Sequence, residues 1–131
     1  MANPSRVPES SAPIAIPLRL VIVLSGLPVD QPQAMSVPLR YAATAASMDV
    51  AVEVHAVNRT VVLLSRSACT PELLLQIRQA VGEGVQFFAC PLAMVEQGLG
   101  EGDLIEEVSG VRGAASLLVA GLQPGARFMV F

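Results

Sequence analysis

The chain has 131 residues, enough for one domain with a sizeable core, and 53% of them are hydrophobic against 15% charged. It carries no lysine, eight arginines placed singly from Arg6 to Arg127, no tryptophan and a formal charge of −3. That excludes the basic stripe with interleaved aromatics that nucleic-acid binding requires. So little charge leaves apolar surface uncovered on a single copy, and a homo-oligomer is expected.

Residues 1–16 hold Pro4, Pro8, Pro13 and several serines and read as a disordered tail, followed by one α/β domain over 17–131. The tail lacks the order of a secretory signal: no charged start leads into an unbroken apolar segment, and Pro17 and Arg19 interrupt the one that follows. No apolar stretch reaches the roughly 18 residues needed to span a bilayer. The expectation is a cytoplasmic protein with no membrane or nucleic-acid partner. Cys69 and Cys90 are too far apart for a CxxC motif and His55 is the single histidine, so neither a metal nor a cofactor is expected.

Leu18 to Leu24 is a near-continuous apolar run of the kind found in strands covered on both faces, and it ends at the turn signal Ser25-Gly26. Ser36 can cap a helix with Pro38 in its first turn and small residues from Leu39 to Met48 that permit close approach to a sheet. Val50 to Val57 alternates Val50, Val52 and Val54 against Ala51, Glu53 and His55, predicting a strand with one more polar face. Val61 to Leu64 is apolar but too short to type. Thr70-Pro71-Glu72 supplies a cap, a first-turn proline and an early acid for an amphipathic helix through Leu73, Leu74, Ile77 and Ala80 to Gly82 and Gly84.

Val85 to Ala89 predicts a further strand, Pro91 to about Gln97 a short helix stopped by Gly98, and Leu104 to Val108 a short strand. Val111 to Leu122 then reads as the last helix and Arg127 to Phe131 as the closing strand. The alternation predicts an α/β three-layer sandwich, with a central, mainly parallel sheet of about five strands flanked by helices.

Cys90 ends an apolar strand and precedes Pro91, which is favoured in the first turn of a helix. A thiol at such a turn faces the free N–H groups and dipole of the helix, which favour an anionic sulfur. The competing reading is plain packing, since free cysteine is among the most buried residue types. In open α/β sheets, sites lie beyond the carboxyl ends of the strands. That rule gathers Ser25, Gly26, His55 and Cys90 as candidates on one rim, with Pro91 beside the thiol and Met94 one helical turn on. Met94, with Phe87 or Phe88, could wall the site or simply belong to the core, and His55 could serve the site or be a partly buried ring bonded to backbone.

Other motifs carry less. Gly98-Leu99-Gly100-Glu101-Gly102 lacks the spacing and the lysine of a phosphate loop and places an acid where phosphate would sit. Glu106 and Glu107 are adjacent, so on a strand they point to opposite faces. No serine has the GxSxG context of a hydrolase.

Leu20 to Gly26, Arg40 to Asp49, Val52 to Leu64 and Val85 to Met94 occur in the order of the DsrE/DsrF/DsrH-like family, which this chain resembles over residues 18–131. The resemblance implies a compact α/β subunit with flavodoxin-like layering, assembled into trimers or hexamers. It also implies sulfur carriage or transfer as a persulfide on Cys90, between a sulfur donor and an acceptor protein. The family pattern often continues with a small flexible residue after that cysteine, where this chain has the stiffer Pro91, and it has no counterpart of Cys69. The rival expectation is an oligomeric binding or scaffold subunit without covalent chemistry, its rim holding a small ligand or a redox partner. A peroxide-reducing enzyme is the third and weakest reading, since no resolving cysteine stands at an evident spacing.

Overall fold

The computed structural model describes Ile16 and residues 18–131. The expected tail over 1–16, apart from Ile16, and the expected domain start at Pro17 lie outside the described residues. Five strands, β1 (Arg19–Leu24), β2 (Ala51–Ala56), β3 (Gln86–Ala89), β4 (Gly110–Val111) and β5 (Ala126–Val130), form one sheet. Every pairing is parallel, and the order is β4-β3-β2-β1-β5. The helices α1 (Ser36–Ser47), α2 (Pro71–Gly82), α3 (Pro91–Glu96) and α4 (Ala114–Gly121) fill the crossovers, making the three-layer α/β arrangement that parallel strands require.

Side chains alternate across the sheet, so each strand serves two different layers. Ile22, Leu24, Val52, Val54, Phe87 and Ala89 share one face and pack with Leu39 and Ala42 of α1 and Leu73, Ile77 and Ala80 of α2 in a single buried apolar cluster. The opposite face carries Arg19, Glu53, His55 and Phe88 and is covered by α4, which lies over β1 and β5. Gly121 makes that packing feasible: a Cβ there would collide with the ring of Phe128 on β5.

Local chemistry explains the element ends. Thr70 caps α2 as expected, its Oγ1 accepting the N–H of Leu73 at 3.2 Å, with Pro71 opening the first turn. Ser36 does not cap α1. A 3₁₀ turn at Pro32–Met35 runs straight into the helix, so Ser36 is already helical (φ −61°, ψ −35°) and Met35 holds the cap position without a side-chain bond. The untyped stretch at Val61 is part of a 3₁₀ helix, Asn58–Leu64, entered through Asn58 in the left-handed region (φ 53°), which asparagine tolerates.

Two expectations in the last third are corrected. Leu104 to Val108 is no sheet strand: Leu104 makes an isolated antiparallel bridge with Ser65, and Ile105 N–H donates to the Leu64 carbonyl at 2.9 Å. Both side chains are buried in the core, which accounts for their apolar character. The fourth strand lies further on, where Val111 pairs with Ala89, so the last helix begins at Ala114 rather than at Val111.

Candidate functional site

At the carboxyl ends of β1, β2 and β3 the chain places Ser25, Gly26, Asn58 and Cys90. Cys90 is extended (φ −75°, ψ 124°), its N–H donates to the Ala56 carbonyl at 3.0 Å, and its carbonyl accepts the Met94 N–H, also at 3.0 Å. The thiol is half-buried and in no disulfide. Pro91 occupies the first turn of α3, a helix of six residues, and packs beside Gly113 after β4. Arg112 follows β4 at this edge, its N–H bonded to the Ala89 carbonyl at 3.0 Å.

The other rim candidates have partners of their own. The strand order reverses beside β1, and Phe131 occupies that edge, its carbonyl accepting the N–H groups of Ser25 (2.7 Å) and Gly26 (3.0 Å). These backbone donors are therefore spent. Tyr41 packs against the Phe131 ring, with centroids 6.0 Å apart. Met94 is 4% exposed and belongs to the apolar core on the α2 side. Phe87 lies in that core as well, whereas Phe88 faces the opposite layer.

His55 is 1% exposed, and its hydrogen-bond partner is a side chain rather than backbone. Its Nε2 lies 3.1 Å from Oε1 of Glu53, two residues earlier on the same strand and hence on the same face. Glu53, itself 3% exposed, pairs through Oε2 with Arg19 of β1, and Arg112 Nη1 stands 3.7 Å from Oε1. The Arg112 guanidinium lies over the Phe88 ring, 4.1 Å from its centroid, and Phe88 also flanks the His55 ring. Burial holds the imidazole below its ordinary pKa of 6.5; Glu53 opposes that shift and Arg112 adds to it. A neutral ring donating from Nε2 to the carboxylate leaves Nδ1 as an acceptor, and Nδ1 is buried without a partner.

This layer of Arg19, Glu53, His55 and Arg112 was missed by sequence reasoning, although a signal was present. Glu53 and His55 interrupt the polar side of an otherwise apolar central strand at spacing two, so they had to meet on one face. What the alternation could not reveal is that Arg19 of β1 and Arg112 just beyond β4 converge on Glu53.

Cys69 lies away from both groups. It is half-buried, and burial together with Glu107 pushes its thiol pKa up, partly offset by Arg78. The Gly98 to Gly102 loop is closed by its own acid, the Asp103 carboxylate accepting the Gly100 N–H at 2.8 Å.

The fold defines the class: a small all-parallel α/β protein with a cysteine at the carboxyl edge of its sheet. No family model matches the chain, and no curated protein matches it significantly. Among solved structures it is similar to the protein of unknown function MTH1491 from Methanobacterium thermoautotrophicum, at 23% identity and TM-score 0.68, covering 86% of this chain and 98% of that one. It is also similar to the ychN protein from E. coli, at 17% identity and TM-score 0.72, covering 86% and 98%. BT1422 from Bacteroides thetaiotaomicron, a conserved protein of unknown function, aligns at 15% identity and TM-score 0.67 over 87% and 95%. At these identities the likeness concerns the fold.

Proposed function

We propose that this chain is a DsrE-like sulfur carrier that holds sulfane sulfur as a persulfide on Cys90. The observation that carries the reading is the position of Cys90, a free, half-buried thiol at the carboxyl end of a parallel strand, where sites in open α/β sheets lie. The Cys90 thiolate attacks the outer sulfur of a donor persulfide, forming the Cys90 S–S bond and releasing the donor thiolate. An acceptor thiolate then attacks the terminal sulfur, which leaves Cys90 as thiolate again. The sulfur moves without net oxidation or reduction. Two cysteines without a disulfide accord with a reducing, cytoplasmic setting.

The carrier works as a homo-oligomer, a trimer or hexamer. Supporting this, Leu92 (67% exposed), Val95 (77%), Leu122 (74%) and Val130 (65%) leave apolar surface open on a single copy. The scaffold reading draws on a specific observation too: the Ser25 and Gly26 N–H groups are bonded to Phe131 and His55 is engaged with Glu53, so neither is free to serve the thiol.

Intact mass of the reduced protein after incubation with inorganic polysulfide separates the two. The carrier gains one sulfur, removable by dithiothreitol, which Cys69→Ser retains and Cys90→Ser loses. An unchanged mass in the parent chain would leave the scaffold reading.

A further inference from the structure

The charged layer borders a cleft of about 560 Å³ between α4 and the strands, lined by Arg19, Glu53, Gln86, Arg112, Ser116 and Val119 among others. That volume falls in the range of small-molecule sites and exceeds what a bare ion fills. Its polar groups are unequally satisfied. Both Glu53 oxygens are engaged, one by Arg19 and one by His55. Arg112 stands too far from Glu53, at 3.7 Å, for a hydrogen bond, and its side chain donates no other among the described residues. Stacking on Phe88 fixes the plane of this guanidinium, and about half of its side chain (48%) is open to the cleft side and solvent.

The charges are unequal as well. Two guanidiniums face one carboxylate, and burial disfavours the protonated form of His55. Ala115, Ser116, Val119 and Ala120 of the eight-residue α4, with Gln123 just beyond it, form the facing wall, so the cleft runs along the flank of that helix. Val119 supplies an apolar wall opposite the polar floor.

We infer that this cleft binds the oxyanion group of a small molecule, a carboxylate or a phosphate, on Arg112 with support from Arg19, while the apolar part of the ligand rests on Val119. Glu53 is the positioning residue: buried between the arginines, it holds Arg19 in place and restricts the site to a single negative group. Cys90 is not among the residues that line this cleft, and the inference does not rest on persulfide chemistry.

Calorimetric titration of the full chain with benzoate and, separately, inorganic phosphate tests this, alongside Arg112→Gln and Ala115→Glu. Ala115 is exposed in the first turn of α4, where an added acid favours the helix, so Ala115→Glu reads the electrostatics of the cleft without disturbing the fold. Saturable binding of one probe, weakened by roughly tenfold or more in each variant, is the expected result, tenfold corresponding to one charge-assisted bond. The probe that binds identifies the oxyanion. Absence of saturable binding by both probes, or binding that Ala115→Glu leaves unchanged, would overturn the site.

Discussion

The two faces of one sheet are built from the same strands yet solve burial differently. On the α1 and α2 side, β2 contributes Val52, Val54 and Ala56 to the buried apolar cluster. On the α4 side the same strand contributes Glu53 and His55, which are as deeply buried as the valines but lie beside two arginines and Phe88. The first layer is held by apolar area and close packing, which have no preferred orientation and no dependence on pH. The second is held by partners: each buried polar group is tolerable only while its neighbour is present. The lesson is that equal burial on two sides of a strand does not imply equal sensitivity to substitution or to solution conditions.

The comparison is broken most severely on the apolar side. Phe87 is fully buried, so Phe87→Ala removes a large side chain and leaves a cavity. We expect a loss of about 3–5 kcal/mol by denaturant unfolding, independent of pH between 5 and 8. On the charged side, Glu53→Gln keeps size and one hydrogen bond to His55 but leaves Arg19 without its counter-charge. Because Arg19 and Arg112 are 37% and 48% exposed and can recover water, the expected loss is smaller, about 2 kcal/mol by the same measurement. A loss equal to that of Phe87→Ala would mean the arginines cannot reach solvent.

The smallest effect is the one that sharpens the contrast. The His55 pKa is lowered in the folded chain, so as pH falls the unfolded state takes up the proton first, near its ordinary value of 6.5. The neutral ring's contribution is thus fully present above 6.5 and is lost as pH falls through the lower folded-state value, with a slope of at most about 1.4 kcal/mol per pH unit. Stability measured from pH 7 to pH 5 should show this slope in the parent chain and a shallower one in His55→Leu. Parallel curves would mean that His55 is not the titrating group.

Much of this was legible in the order of residues. The run from Leu18 to Leu24, the Thr70-Pro71-Glu72 start and the small residues of the first helix each act locally, and the elements they predict are present within a few residues of the expected bounds. The strand expected at Leu104 fails for a non-local reason: its backbone is bonded to Leu64 and Ser65 rather than to the sheet, and apolar character reports burial rather than pairing. The rim candidates were legible one by one. That Phe131 would take up the N–H groups of Ser25 and Gly26 was not, because it reaches Ser25 from 106 residues away.

By itself the sequence determined the βα alternation, the parallel sheet it requires, and the position of Cys90 at a strand-to-helix turn, since periodicity, caps and proline act over a few residues. The tertiary structure alone decided that Glu53 and His55 would be buried, that Arg19 and Arg112 would meet Glu53 from β1 and from beyond β4, and that a cleft would open beside them. Those contacts join residues up to 59 positions apart, as between Glu53 and Arg112, and no local pattern encodes an encounter that only strand order brings about.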